Sequence, residues 1–295
     1  MNVFIQQLVD GLGQGSIYAL LALSLAVIFG VMHLVNFAHG ELITISSYVA
    51  YGLSTAGYGW EIIVPAILVT SIIASMAIEF LAFRWVRGSD EFTMLLTSFG
   101  VHFVVSALFL MFVSPKPLNF PKPSWIFNTI KVFGINLEIF DIITVVATVV
   151  TLLITVWILQ KTMFGITLRA ASLDFDAARL MGVKSNSVIR GAFALSGALA
   201  GVAGVFWLMR TGTAKPDAGL TPLLFGVIAV IAGGLESLSG AVIGGFALGI
   251  VQVMLRGYLP SEISGLTEGI LFVLLAMLFI VRPQGLVSVS RAERV

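Results

Sequence analysis

Apolar runs of about 20 residues recur along this chain, and that is the length a helix needs to cross the hydrocarbon of a bilayer. Hydrophobic residues make up 58% of the 295 positions and charged residues only 11%, whereas soluble domains carry about 25% charge. The sequence therefore predicts an all-α polytopic membrane protein, a single transmembrane domain over 1–295 with about eight or nine crossings. The candidate spans are 8–31, 34–55, 61–83, 93–113, 140–160, 188–209, 221–235, 238–258 and 264–281.

Two connections and one short span interrupt this pattern. Residues 114–139 contain Pro115, Pro117, Pro121 and Pro123, which exclude regular helix and favour extended backbone. We expect an outer-face loop there, whose aromatic residues Trp125 and Phe127 anchor it at the membrane interface. The run 221–235 is short and ends at Gly233–Gly234, so it is a candidate for a half-helix that breaks inside the membrane.

Basic residues divide unevenly between the two sides of the predicted spans, ten against six. Because Lys and Arg near span ends are retained in the cytoplasm, we assign the richer side to the cytoplasm. The richer side holds Arg84, Arg87, Lys161, Arg169, Arg179, Lys184, Arg190, Arg282, Arg291 and Arg294, and the poorer side Lys116, Lys122, Lys131, Arg210, Lys215 and Arg256.

Several kinds of chemistry lack the residues they need. The chain has no cysteine, which excludes disulfides, thiol nucleophiles and thiolate metal sites. No G-x-x-x-x-G-K-[ST] phosphate loop and no H-E-x-x-H pair occurs, and no basic stripe suits nucleic acid. The chain has no positively charged segment before its first apolar run, so that run is expected to remain in the membrane. We expect a chain without catalytic residues, metal or cofactor of its own.

Residues 161–190, here called the coupling segment, are too polar to lie in lipid. Leu168 to Leu180 are expected to form a short amphipathic helix that Gly182 ends in a left-handed conformation. Leu168, Ala171, Phe175 and Ala178 would share its apolar face. Periodicity alone leaves two readings open: a helix that docks a partner, or a surface helix that only links two spans.

Four ordered strings resemble the permease subunits of branched-chain amino-acid ABC importers, a family to which urea and short-amide permeases are close. They are NFAHGELITISSYVA at 36–50, FRWVRG at 83–88, RAASLDFDAARLMGV at 169–183 and GGLESLSGAVIGGFALG at 233–249. The resemblance implies that residues within about 161–187 form a coupling helix that docks on an ATPase subunit. It assigns to that interface Arg169, Asp176, Arg179, Leu180 and Gly182, with Phe175 and Met181 as further apolar contacts. Phe175 departs from the smaller residue usual in the family.

The same resemblance implies where the chain lies, what it carries and with what it assembles. The location would be the inner (plasma) membrane of a bacterial cell. The cargo would be branched-chain or other hydrophobic amino acids, with urea or short amides as the alternative. Two ATP-binding subunits would use ATP and Mg²⁺, a periplasmic protein would deliver the substrate, and a second homologous permease would complete the pore, as a heterodimer or a homodimer. An ion-coupled secondary transporter is the rival from a different class, and it would need ionisable residues inside the membrane.

Ionisable residues at predicted membrane depth are few, and most lie near span ends, where capping explains them. They are Asp10, Glu41, Glu79, Glu236, Glu268, His33, His39 and His102. Glu41 is the exception, because Asn36, His39 and Gly40 precede it between two apolar runs. We expect these four residues to shape or gate the translocation path, with Asn36 and His39 bonded to exposed backbone and Glu41 facing a polar cavity; the competing interpretation is a tight inter-helix turn.

Small residues at four-residue spacing predict close helix packing. They are Gly197, Gly201 and Gly204 in SGALAGVAG, and Gly240 and Gly244 in SGAVIGG.

The predicted sidedness can be measured directly, because a chain without cysteine accepts single reporter thiols. Leu180→Cys should react with a membrane-impermeant maleimide only when the cytoplasmic side is open. Lys116→Cys should react in intact spheroplasts. Labelling of Leu180→Cys from outside would reverse the assigned orientation.

Overall fold

A computed structural model describes residues 2–32, 36–132, 134–234, 237–260, 263–282 and 285–287. The predicted all-α class is confirmed. The helices are α1 Asn2–Met32, α2 Glu41–Thr55, α3 Trp60–Leu81, α4 Glu91–Phe112, α5 Ile139–Lys161, α6 Met163–Leu173, α7 Phe175–Leu180, α8 Ser185–Thr211, α9 Leu220–Gly233, α10 Leu238–Tyr258 and α11 Thr267–Val281.

Within the described residues, six helices are long and apolar enough to cross a membrane: α1, α3, α4, α5, α8 and α10. Three of the predicted spans are shorter than lipid length. Helices α2 and α11 have 15 residues each and α9 has 14, so α9 extends for only about 21 Å against about 30 Å of hydrocarbon. The exact helix count therefore differs from the sequence prediction. The prediction that 221–235 is short is confirmed.

The proline-rich connection forms extended backbone, as its prolines require. Strand β1 Leu118–Asn119 pairs antiparallel with β4 Thr213–Ala214, and β2 Thr129–Val132 forms an antiparallel hairpin with β3 Ile135–Glu138. The Trp125 side chain is exposed, whereas Phe127 stacks on Phe140 of α5 at 5.3 Å between ring centroids. Trp125 is thus the more exposed of the two.

The chain forms two compact units, each assembled from separated segments. Unit 1 comprises Met1–Ala26, Ser124–Thr148 and Phe225–Val295, and unit 2 comprises Val27–Pro123 and Val149–Leu224.

In unit 1, glycines bring α1 and α10 into backbone contact. A Cβ on Gly15 would lie 2.9 Å from the Phe246 Cα, and one on Gly249 would overlap the Gly15 backbone. The Tyr18 hydroxyl bonds to Gln252 Oε1 at 2.6 Å in the same buried interface. Gly240 and Gly244 of α10 pack on α9, since a Cβ on either would overlap the carbonyl oxygen of Gly233 or Ala229.

In unit 2, α8 packs on α3 through the residues that the glycine spacing indicated. A Cβ on Gly197 would lie 2.7 Å from the Ser75 Cβ and 2.9 Å from the Ser71 carbonyl oxygen. The Ser75 hydroxyl donates to the Phe193 carbonyl at 2.7 Å. Gly204 faces α2, where its Cβ would lie 3.8 Å from Ile43.

The α3–α8 packing predicts a position-specific cost for added volume. Gly197→Ala should lower the free energy of unfolding by about 1–3 kcal/mol, because the interface is already at contact distance. Gly100→Ala in α4 is the matched control, since a Cβ there meets nothing within 4 Å. Thermal unfolding of the purified chain in detergent measures both, and equal melting temperatures for the two variants would contradict the proposed packing role.

Candidate functional site

Two short helices, α6 and α7, form within the coupling segment, where the sequence predicted a single helix over 168–180. Helix α6 ends at Leu173, because Asp174 adopts extended backbone with φ −158° and ψ 108°. The Asp174 carboxylate then accepts a hydrogen bond from the Ala177 amide at 2.9 Å and caps α7. An Asp that caps a new helix start is the reason for the break.

The apolar face of this segment is buried inside the chain itself. Leu168, Ala171 and Ala178 are 7%, 2% and 5% exposed, which corrects the expectation that this face is open to a partner. Leu180 and Met181, at the end of α7, are 90% and 86% exposed. Two neighbouring apolar side chains at an exposed tip form a more suitable docking surface than the face that periodicity identified.

Gly182 ends α7 in the left-handed conformation, with φ +87°. The Val183 amide donates to the Ala178 carbonyl at 3.1 Å and the Gly182 amide to that of Arg179 at 2.9 Å, as in a glycine-terminated helix. The Arg169 and Arg179 side chains are exposed. The side chains of Phe175 and Asp176 lie outside the described part of the structure.

A buried carboxylate connects α3 with the start of α8, beside the coupling segment. Glu79 is 1% exposed and forms ion pairs with Arg87 and, at 3.9 Å, with Arg190. Arg87 also donates to the Asn186 side chain at 2.6 Å. The basic residues around 84–87 and those of the coupling segment therefore meet at one end of unit 2, and Glu79 is an ion-pair partner there and not a capping residue.

The backbone between α1 and α2 is irregular at 36–40. The Asn36 side chain accepts a hydrogen bond from the Ala38 amide at 3.0 Å and caps a 3₁₀ turn over Phe37–Gly40. Asn36 and His39 are 2% and 3% exposed. Such a break needs protein around it when it lies in a membrane. His33, Glu236, Arg291 and Arg294, also named from the sequence, lie outside the described residues.

Glu41, the first residue of α2, meets His102 of α4. The carboxylate is fully buried, and its Oε1 lies 2.6 Å from His102 Nδ1. The sequence predicted that Glu41 faces an open polar cavity. In the isolated chain its carboxylate is instead buried against His102. Its Oε2 forms no hydrogen bond with the described residues, nor does the buried Tyr48 hydroxyl two turns later.

Aromatic stacking flanks this pair on both sides. Phe37 stacks on Phe99 with centroids 4.2 Å apart, and Tyr48 on Phe109 at 4.1 Å. The pairs follow the same order along α2 and α4, so the two helices run parallel.

The start of α9 lies against the start of α2. A Cβ on Gly40 would lie 2.8 Å from the Gly219 carbonyl oxygen, and one on Gly219 would overlap the Gly40 backbone. The Gly219 amide donates to the Thr44 hydroxyl at 3.0 Å. Asp217 lies on the connection just before α9, two residues from Gly219.

Sequence reasoning missed part of this cluster. His102 was grouped with capping residues, and Thr44, Asp217 and Gly219 were not singled out. The available signal was the opposite chemistry of Glu41 and His102 on two apolar runs, because an intramembrane carboxylate needs a partner. No local pattern indicated that Gly219 would reach Gly40.

Comparison with known proteins identifies the family. A family model described as branched-chain amino acid transport system permease component matches residues 7–281. This chain belongs to that permease family. It is 27% identical to the high-affinity branched-chain amino acid transport system permease protein LivH of Escherichia coli (strain K12), over 99% of this chain and 98% of LivH. It is 28% identical to BraD of Pseudomonas aeruginosa, over 99% of this chain and 98% of BraD.

A solved structure supports the permease fold. A metal-chelate type ABC transporter in an inward-facing conformation superposes with a TM-score of 0.51 at 18% identity, covering 95% of this chain and 87% of that chain. At this identity the likeness concerns the fold alone. The family and the apolar helices together make this permease a multi-pass membrane protein and a transport subunit.

The Glu41–His102 pair should be energetically coupled. Glu41→Ala should destabilise the chain by about 3 kcal/mol, because it leaves the buried imidazole without its partner. Glu41→Ala combined with His102→Ala should cost less than the two single changes added, by about 1–3 kcal/mol. Denaturant unfolding of the wild type, the two single variants and the double variant gives the four free energies from which the coupling is calculated. Strict additivity would show that the pair makes no net interaction.

Proposed function

We propose that this chain is the membrane-spanning permease subunit of an ATP-driven importer for branched-chain amino acids. The observation that carries the proposal is the exposed tip of Leu180 and Met181 on a short capped helix, in a chain that the permease family model covers from residue 7 to 281. The relatives named above are permeases of branched-chain amino acid transport systems. The chain would carry out no covalent chemistry.

The energy would come from two ATP-binding subunits that dock on the coupling segment. Leu180 and Met181 would enter a groove of the ATPase as the apolar centre of the interface, with Arg169 and Arg179 at its charged rim. Phe175 and Asp176 remain assigned to this interface by resemblance. Gly182 would hold the tip at a fixed angle, because its positive φ disfavours other residues. A second homologous permease and a periplasmic binding protein would complete the complex.

Movement of the tip would reach the rest of unit 2 through α8. The Glu79, Arg87 and Arg190 cluster ties the start of α8 to the end of α3, and the glycine contacts keep the two helices at close packing distance. A push on α7 would thus act on helices that are already linked, so that they move together.

Asn36, His39, Gly40 and Glu41 would form the part of the translocation path that opens and closes. Two helix starts, those of α2 and α9, meet there through the Gly40–Gly219 contact. Half-helix N-termini attract anionic groups, and a substrate carboxylate is such a group. Closure of the ATPase would separate this contact and expose backbone amides to the path.

A docking prediction follows from the exposed tip. Leu180→Asp with Met181→Asp should lower ATP-driven uptake at least about thirtyfold, because truncating a buried interface anchor costs about 2 kcal/mol or more. Met163→Asp is the matched control, since Met163 is 74% exposed in the same segment but lies at its other end. Co-purification of the ATPase and uptake into proteoliposomes are measured together. Unchanged binding and uptake in the double variant would refute the assigned interface.

One reconstitution experiment can identify both the substrate and the class of transporter. Substrate-stimulated ATPase activity of the purified complex should respond to leucine, isoleucine and valine and not to urea or acetamide. A response to urea or short amides alone would assign the chain to that branch of transporters. The buried Glu41–His102 pair is the feature that an ion-coupled carrier would need. Uptake driven by an ion gradient, without ATP or binding protein, would overturn the importer proposal in favour of such a carrier.

A further inference from the structure

A cavity of about 1010 Å³ lies at the basic end of unit 2, behind the tip of α7. Its walls come from the end of α1, the connection before α4, the residues after α7 and the first turns of α8. Among the described residues that line it, four are basic, namely Arg87, Arg179, Lys184 and Arg190, and none is acidic. Glu79 compensates part of this charge from behind the wall, through its ion pairs with Arg87 and Arg190.

Part of the remaining lining is apolar and comes from the ends of membrane-length helices, whereas Asn186 and Ser187 add polar side chains. Val31 and Met32 close α1, Met94 lies in the first turn of α4, and Ile189 lies in the first turns of α8. The cavity therefore joins a basic rim to an apolar wall. A free inorganic anion would use the rim alone, whereas a phospholipid would use both, with its phosphodiester on the basic side chains and its glycerol and upper acyl chain on the apolar wall.

The position of the cavity fits the same ligand. Arg87 and Lys184 belong to the connections that charge distribution assigns to the cytoplasm. The cytoplasmic leaflet presents anionic headgroups, and basic pockets between membrane helices on that side bind them. We propose that this cavity is a binding site for the phosphate of an anionic membrane lipid. The inference does not depend on which solute the permease carries.

A bound phosphate would bridge two parts of the chain. Arg87 and Arg190 are held by Glu79 on the α3–α8 body, while Lys184 lies on the connection that follows α7. A headgroup between them would link Lys184, after α7, to Arg87 and Arg190 by charge. The lipid would then set how firmly the tip of α7 is attached to the helices it moves.

The test is native mass spectrometry of the full chain, purified in detergent with added phosphatidylglycerol or phosphatidylcholine of identical acyl chains. The wild type should retain phosphatidylglycerol in preference. Lys184→Gln with Arg190→Gln should weaken that retention about thirtyfold, since two basic contacts are removed. Arg84→Gln is the matched control: Arg84 belongs to the same basic connection but stacks on Phe80, and that variant should retain the lipid as the wild type does.

The single variant Lys184→Gln is the control for misfolding, because Lys184 takes no part in the described ion pairs of Glu79. It should elute from size exclusion as the wild type does and retain about fivefold less phosphatidylglycerol. Equal retention of both lipids by the wild type, or equal loss in Arg84→Gln and the double variant, would overturn the proposal.

Two further arms identify the source of the phosphate. Displacement of phosphatidylglycerol by millimolar inorganic phosphate would support the anion site and assign it to soluble phosphate. Retention at high phosphate would assign it to lipid. Lipid present on the isolated chain but absent from the complex with its ATPase would show that the cavity belongs to the protein interface, and would overturn the lipid proposal.

Discussion

Every backbone amide and carbonyl at membrane depth must find a partner inside the protein, because hydrocarbon offers none. Regular helix meets this requirement for most of the chain. The interruption at 36–40 meets it through burial and the Asn36 cap, and the start of α9 through the bond from the Gly219 amide to Thr44. The Gly40–Gly219 contact depends on two residues without side chains. Here the chain departs from simple spanning helices, and here the proposed gate lies.

Charge at the other end of unit 2 follows a related constraint. Glu79 is buried, so it is retained only with cationic partners, and Arg87 and Arg190 supply them. The residues that meet this need also attach α8 to α3 and line the basic cavity. One ion cluster thus links the proposed coupling tip, the helix pair behind it and the proposed lipid site.

The sequence predicted the all-α membrane class and the left-handed end of α7, and it carried the family resemblance, because each depends on local pattern. It did not predict the break at Asp174 or the burial of Leu168, Ala171 and Ala178, since an amphipathic period shows that a face is apolar but not what covers it. In this chain α6 and α7 turn that face inward. The exposed apolar pair at Leu180 and Met181 became visible only once the fold was known.

By itself, the sequence determined that this chain is a helical membrane protein, because its span lengths and low charge suit only a bilayer; the permease function came from the family resemblance. Glycine spacing also indicated the surfaces where helices approach, such as Gly197 against α3. Only the tertiary structure decided which distant residues meet: Glu41 with His102, Gly40 with Gly219, and Glu79 with Arg87 and Arg190. Those pairs lie between 8 and 179 positions apart, and helix packing, which local periodicity does not encode, brings them together.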